Sequence, residues 1–389
     1  AIDFCRYYAI EARKLMEPKV CSGIPGEDSK LSYRPRGLTL VIAPWNFPLA
    51  ILTGMSAAAV VTGNPVIMKP SEQSCGVAFE LTKLIHEANF PKGVWNCVYG
   101  AGEEIGRALA NLKDVKTICF TGSVPVGLEL LKQVGNYQPG QKHIKKVIAE
   151  LGGKNAAIVD SDADLDEAIS EIVKSAFGFQ GQKCSACSRV ILVRGNEGKF
   201  YTRIKEMCES FLQGSASDPN MKLGPVVDED SFQRISKVIE DAKKEHEVLF
   251  EGKIDATSGY FIAPHIFKVK NSQCSLMQEE VFGPVLGIVE VDSVQEAVEI
   301  LNEVNYGLTG GIFSRLSSHI EYVKERAEVG NLYINRSITG AMVSRHPFGG
   351  KKMSGVGSKA GGPDYLIQFV DPLAVIENTA RKGFTPDLL

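Results

Sequence analysis

Residues 65–99 read P-V-I-M-K-P-S-E-Q-S-C-G-V-A-F-E-L-T-K-L-I-H-E-A-N-F-P-K-G-V-W-N-C-V-Y. The run at 65–69 is short, apolar and branched, the pattern of a buried strand. After Pro70 the period changes: Ala78, Leu81, Ile85 and Ala88 fall on one face of a helix over 72–88. W-N-C-V-Y at 95–99 returns to a strand, 102–111 to a helix, and V-K-T-I-C-F at 115–120 to a strand. Strands that alternate with helices in this way build βαβ units around a parallel sheet.

Outward from this stretch the alternation starts a second time. N-A-A-I-V at 155–159 and R-V-I-L-V at 189–193 read as strands, with helices over 164–176 and 199–212. Further strands are expected at 285–291, 310–314 and 330–335. Gly152–Gly153 joins the two series, so the fold class is α/β with two parallel-sheet domains. Residues 1–16 carry apolar side chains at helical spacing, and 17–30 read as a loop. Residues 31–43, with Pro-Arg-Gly at 35–37, suit a hairpin. The apolar run L-I-Q-F-V-D-P-L-A-V-I at 366–376 suits a late strand.

Composition narrows the class. The 389 residues allow two or three domains, and 44% hydrophobic with 23% charged residues is ordinary for a globular protein. A net charge of −3 gives no general attraction for nucleic acid or anionic membrane. No apolar run reaches the ~18 residues of a spanning helix, and the start shows no signal-peptide pattern. Nine scattered cysteines suit a reducing compartment.

Two residues carry the chemistry. Cys184 lies in F-Q-G-Q-K-C-S-A-C-S and Glu150 in A-E-L-G-G-K-N, 34 positions earlier. A thiol that adds to a carbonyl as thiolate and a carboxylate that later activates water make a kit for covalent catalysis with a hydrolytic second step. A lone Cys is otherwise a small buried hydrophobe, but these flanks are polar and glycine-rich. Cys184 and Cys187 also form C-x-x-C, open to a redox dithiol or a zinc half-site. No second ligand pair of suitable spacing accompanies them, and a bystander Cys187 fits better. The six histidines lack metal-like partners and read as structural; no metal is expected.

A-P-W-N-F-P at 43–48, M-K-P-S-E at 68–72, F-T-G-S at 120–123, E-L-G-G-K at 150–154, G-Q-K-C at 181–184, E-V-F-G-P at 280–284 and P-F-G-G at 347–350 resemble the aldehyde dehydrogenase superfamily. They occur in that family's order over nearly the whole chain. The resemblance implies two Rossmann-type domains plus a small β oligomerisation element, and a homo-oligomer, a dimer or larger. It implies an NAD-binding domain over 44–152 and a catalytic domain over 153–365. Residues 31–43 and 366–378 would be the oligomerisation strands, and 379–389 a tail. Residues 1–30 would belong to a cofactor domain that begins further upstream, so the chain reads as a piece of a longer one.

Cys184 would then attack an aldehyde, Asn46 and the Cys184 N–H would hold the oxyanion, and Glu150 would activate the hydrolytic water. For the cofactor, Gly102 and Gly106 with Gly100 form one glycine cluster, and Gly122 with Ser123 opens another between a strand and a helix. Ser123 could cap that helix, whose free N–H groups suit pyrophosphate. Phe120 ends the preceding strand. Lys69 and Glu72 could be a solvated pair at a helix start; the resemblance implies that they hold the adenosine ribose. A carboxylate there disfavours a 2′-phosphate, hence NAD over NADP. Glu280 and Phe282 match positions that hold the nicotinamide ribose and pack near the ring.

Q-P-G-Q-K at 138–142, G-F-Q-G-Q-K-C-S-A-C-S-R at 178–189, T-G-A-M-V at 339–343 and K-M-S-G-V-G-S-K-A-G-G-P-D-Y-L at 352–366 resemble the pyrroline-5-carboxylate dehydrogenase branch. That branch oxidises L-glutamate γ-semialdehyde to glutamate in proline breakdown. Ser185 and the N–H groups of Gly340 and Ala341 would meet the substrate carboxylate, and Phe348 its aliphatic stem. Gly340 and Ala341 also fit an ordinary loop. The alternatives are a dehydrogenase for another semialdehyde, such as succinate semialdehyde, or a catalytically incomplete fragment. Lys351 departs from the family, which often has an aromatic there. In some members the enzyme is the C-terminal part of a bifunctional chain with a flavin-dependent proline dehydrogenase, and this chain suits either origin. The expected location is the bacterial cytoplasm, or the mitochondrial matrix for a eukaryotic source.

Overall fold

The run T-L-V-I, Thr39–Ile42, is a central strand of a parallel sheet in the computed structural model, which describes residues 1–379. It pairs in parallel with Val66–Lys69 on one side and Thr117–Thr121 on the other. This corrects the hairpin expected over 31–43. Pro35, Arg36 and Gly37 end one strand, Glu27–Pro35, and the chain enters a different sheet. Leu40 and Val41 are fully buried, and a continuous apolar run suits a strand covered on both faces.

The chain divides into two compact units. The first comprises residues 1–149, 342–347 and 357 onward. Trp95–Cys97 extends its parallel sheet beyond Val66–Lys69, and Lys146–Glu150 lies beyond Thr117–Thr121. Helix Ile2–Leu15 packs on helix Ala50–Val61. Tyr8 is buried and stacks on Tyr365 at 5.6 Å, and its hydroxyl accepts from Gly361 N at 2.8 Å. These contacts place residues from 357 onward in the first unit, whereas 153–365 was expected to be continuous. Glu27–Pro35 pairs antiparallel with Val370–Asn378 along its whole length. The late strand thus starts at Val370; Leu366–Phe369 is a short 3-10 turn. The expected tail at 379–389 lies outside the described residues except for its first.

The second unit comprises residues 150–341 and 348–356, so the boundary falls at Ala149/Glu150 rather than at the glycine pair. Its sheet has seven strands in the order Glu247–Glu251, His265–Lys268, Val285–Val291, Cys187–Val193, Asn155–Val159, Thr309–Phe313, Asn331–Ile334. All neighbours are parallel except the first pair. Side chains alternate between two cores: Ile158, Ile191 and Ile312 enter one, while Ala157, Val159, Val190, Leu192 and Phe313 enter the other. Both faces are covered, as a parallel sheet requires. Among the described residues no helix is long and apolar enough to cross a membrane.

Candidate active site

In the second unit the chemistry gathers at the N-terminal ends of its parallel strands. Asn155 begins one strand, Cys187 the next and Thr309 a third. Cys184 sits in the loop before Cys187. The backbone enters this loop through Phe179, Gln180 and Gly181, at φ 59, 56 and 65. Left-handed backbone at two non-glycine residues in a row is strained, and such strain concentrates at functional sites. Only glycine fits at position 181: a Cβ there would lie 2.4 Å from the Gly283 carbonyl oxygen.

Glu150 ends its strand, and Leu151 to Lys154 follow as a buried turn. Glu150 Oε2 accepts from Gly350 N at 3.3 Å, in the P-F-G-G loop. Ser354 holds that loop's far end: its carbonyl accepts from Leu151 N at 2.8 Å and its hydroxyl from Gly307 N at 3.0 Å. Gly153 N donates to Glu280 Oε1 at 2.8 Å.

The Cys184 thiol, half-buried, is pushed up to about 12 by burial first, then by the carboxylates of Glu280 and Glu150. The backbone N–H groups of Ser185 and Cys184 act in the other direction and favour the thiolate. Both carboxylates therefore lie within electrostatic reach of the thiol. Burial also raises Glu280 above the usual carboxylate range. Lys154, buried at the end of that turn, is pushed down to about 7 by burial and then by Arg189. The Arg189 guanidinium is buried but satisfied: it donates to the carbonyls of Lys154, Ile300 and Leu301 at 3.0, 2.9 and 3.2 Å. It thereby closes the C-terminal end of helix Val294–Asn302, where a cation is favoured.

Other expected residues of this unit fall as follows. Ser185 is buried beside Cys184. Phe282 has φ 52, another left-handed non-glycine residue, and lines a pocket with Glu280, Gly153 and Lys183. Phe348 is half-buried, whereas Gly340 and Ala341 are exposed at the end of a loop. Gly340 has φ 82, so the loop needs glycine there. The loop is anchored by Ser337, whose N–H donates to Glu171 Oε2 at 2.9 Å and whose hydroxyl meets those of Ser175 and Thr339. Lys351, the departure noted in the sequence, lies in a two-residue strand against Tyr306–Gly307 and is exposed. Cys187 is buried, and its thiol donates to the Arg189 carbonyl at 3.3 Å.

In the first unit the expected cofactor residues lie at the C-terminal ends of parallel strands, the usual place for ligands on such sheets. Lys69 ends its strand and is 2% exposed; its Nζ meets Glu72 Oε2 at 3.1 Å. Glu72 Oε1 accepts from Gly102 N at 2.7 Å. Burial opposes ionisation of Glu72, but the N–H groups of Glu72 and Gly102 and the Lys69 ammonium together hold its carboxyl below the usual range. Gly102–Gly106 forms a π-helical turn ahead of helix Arg107–Asn111. The Phe120 ring packs over Gly122, where a Cβ would lie 2.5 Å from it. Ser123 stands at the cap position of helix Val124–Gly135, but its side chain makes no capping bond. That corrects the expected cap, and the first-turn N–H groups have no intrahelical partner. Asn46 is 5% exposed, in the loop after Thr39–Ile42.

Asn155 escaped the sequence reading. It is 2% exposed, and its side chain binds the carbonyls of Cys184 and Ala186 and the N–H of Thr309. Its place right after E-L-G-G-K was the available signal. Among the described residues no cluster of three or more His, Cys, Asp or Glu side chains could hold a metal ion.

A sequence profile described as the aldehyde dehydrogenase family matches residues 1–375. The chain is 44% identical over 377 residues to 1-pyrroline-5-carboxylate dehydrogenase 2 of Bacillus subtilis, covering 97% of this chain and 73% of that one. Its fold matches a crystal structure of 1-pyrroline-5-carboxylate dehydrogenase from Thermus with bound NAD, with a TM-score of 0.95, 44% identity, and coverage of 97% and 73%. It also matches proline utilization A from Bdellovibrio bacteriovorus, with a TM-score of 0.96 and 52% identity, over 99% of this chain and 40% of that one.

Proposed function

The chain belongs to the aldehyde dehydrogenase family, and we propose that it oxidises L-glutamate γ-semialdehyde, the open form of 1-pyrroline-5-carboxylate, to L-glutamate with NAD. The observation that carries the chemistry is that the segment after Glu150 holds the Glu280 carboxylate through Gly153 N at 2.8 Å and lies against the Cys184 loop, where a Cβ on Gly153 would be 2.8 Å from the Cys184 carbonyl oxygen. The substrate rests on the relatives named 1-pyrroline-5-carboxylate dehydrogenase, at 42–44% identity over 97% of the chain.

The residues of the first unit fit a dinucleotide. The Lys69–Glu72–Gly102 constellation presents an ionised carboxylate and a buried ammonium, suited to the vicinal hydroxyls of a ribose. The uncapped N-terminus of helix Val124–Gly135 suits a pyrophosphate. Glu280 and Phe282 are assigned to the nicotinamide ribose and ring. Bound NAD supplies the hydride acceptor.

Cys184 adds as thiolate to the aldehyde carbon and forms a thiohemiacetal. Asn46 and the Cys184 N–H are assigned to its oxyanion. Loss of hydride from the carbon leaves a thioester on Cys184. Glu150 takes a proton from water, the hydroxide adds to the thioester carbonyl, and the C–S bond breaks to release glutamate and return the Cys184 thiolate. Ser185 and the N–H groups of Gly340 and Ala341 are assigned to the substrate's α-carboxylate, and Phe348 to its stem. As in proline utilization A, the chain can be one part of a protein that carries a second, proline-oxidising activity, and a homo-oligomer built through Glu27–Pro35 and Val370–Asn378 is part of the proposal.

NADH formation from pyrroline-5-carboxylate, compared with succinate semialdehyde, tests the reading. The first substrate should be preferred in kcat/KM by at least about tenfold, the worth of one charge-assisted hydrogen bond. Turnover of succinate semialdehyde alone would reassign the substrate, and inactivity toward both would refute the proposal.

A further inference from the structure

Three successive carbonyls of the nucleophile loop are held by two buried side chains. Asn155 Nδ2 donates to the Cys184 carbonyl at 2.7 Å and to the Ala186 carbonyl at 2.9 Å. Thr309 Oγ1 donates to the Ser185 carbonyl between them at 3.4 Å. The Asn155 amide is fixed in its orientation, because Oδ1 accepts from Thr309 N at 2.9 Å. Asn155 and Thr309 are 2% and 1% exposed, and neither has a part in the mechanism above.

A trans peptide unit is planar, with its C=O and N–H pointing in opposite directions. The carbonyl of Cys184 and the N–H of Ser185 belong to one such plane. Asn155 grips the carbonyl, so the N–H turns the other way, and that N–H favours the Cys184 thiolate. Rotation of this peptide would break the 2.7 Å bond and turn the Ser185 N–H in a single motion. The glycine beside Asn155 leaves the room for this grip: a Cβ on Gly153 would lie 2.7 Å from Asn155 Oδ1 and 2.8 Å from the Cys184 carbonyl oxygen.

We propose that Asn155, backed by Thr309, is a positioning residue for the nucleophile: it sets the rotation of the Cys184–Ser185 peptide and so fixes the backbone that carries the reacting sulfur. The inference rests on Cys184 being the nucleophile and on nothing about the aldehyde. Both polar atoms of the buried Asn155 side chain are taken up by the chain itself, so its loss acts on kcat and on thiol reactivity rather than on KM.

The experiment is alkylation of Cys184 by iodoacetamide in the full protein without cofactor, with Cys184→Ala subtracting the other cysteines. Asn155→Ala should slow the alkylation about tenfold at fixed pH and lower kcat to a similar degree, with KM within about threefold. Asn155→Asp keeps an acceptor for Thr309 N but loses both donors, and should be as slow. Alkylation within about twofold of wild type in either folded variant overturns the proposal, because release of the backbone that carries the sulfur must change thiolate reactivity. If neither variant folds, Thr309→Val decides. Its slower alkylation at an unchanged unfolding temperature supports the clamp, and an unchanged rate refutes it. Alkylation needs no aldehyde, so a wrong substrate assignment leaves this result standing. An active Cys184→Ala, by contrast, would sink the proposed mechanism.

Discussion

Gly153 N donates to Glu280 Oε1 at 2.8 Å, and a Cβ on the preceding Gly152 would lie 2.2 Å from Glu280 Oε2. The glycine pair after Glu150 is thus a seat for a second carboxylate, as well as a turn. The atoms that would clash belong to the far end of a flexible side chain, so Gly152→Ala should expel the Glu280 carboxylate at little cost to the fold. After burial, the Glu280 carboxylate does most to raise the Cys184 thiol. Gly152→Ala should therefore speed alkylation of Cys184 and weaken NAD binding, with the unfolding temperature nearly unchanged. Slower alkylation in the folded variant would contradict the electrostatic role of Glu280.

Glu150→Gln should separate the two halves of the reaction. The amide oxygen of that variant would still accept from Gly350 N but could not take a proton from water. A burst of NADH followed by little turnover is the expected pre-steady-state trace. An unchanged steady-state rate would remove Glu150 from deacylation.

Thiol titration gives a pH dependence of known sign. Cys184, Cys187 and Cys208 are each pushed up to about 12, by burial first, from an ordinary 9.0. The folded value lies above the unfolded one, so the contribution to stability is complete below 9.0 and is lost as pH rises toward 12. The unfolding temperature should fall with pH above 9.0, and alkylation of Cys184 without cofactor should keep rising through that value. A plateau in alkylation below 9.0 would show that the carboxylates and burial do not restrain the thiol.

Glu72 should discriminate between cofactors. Its ionised carboxylate faces the assigned ribose, so a 2′-phosphate there meets like charge. A preference for NAD of about tenfold or more is expected, and Glu72→Ser should narrow it. Titration of both cofactors against both proteins reads this directly; equal Kd values for NAD and NADP in the wild type would contradict it.

Ser185→Ala should reduce kcat/KM for glutamate γ-semialdehyde by about tenfold, the loss of one charge-assisted hydrogen bond of ~1.5 kcal/mol. A simple aliphatic aldehyde lacks the carboxylate, so its rate should change little. Equal losses on both substrates would mean that Ser185 shapes the catalytic centre instead.

Much of the fold was legible because hydrophobic period is a local property. The runs at 66–69, 155–159 and 285–291 are strands, and the face of Ala78, Leu81 and Ile85 is buried on its helix. Thr39–Ile42 was misplaced in a hairpin because so short a run does not say whether the strand is at an edge or in a centre. The Ser123 cap had the right residue at the right position, yet its hydroxyl makes no bond to the helix. Cap chemistry depends on a rotamer, which sequence does not carry.

The sequence by itself determined the α/β class, the family motifs in order, and the residue types that can do thioester chemistry: a glycine-flanked thiol and a carboxylate. Only the tertiary structure decided what surrounds them. It brought Glu280, 96 positions after Cys184, onto the turn after Glu150, and it brought Asn155 and Thr309, 154 positions apart, together behind the nucleophile loop. These contacts are single hydrogen bonds between segments that share no local period. Such bonds leave no trace in a pattern of neighbours, and form only once the parallel strands set their own N-terminal ends side by side.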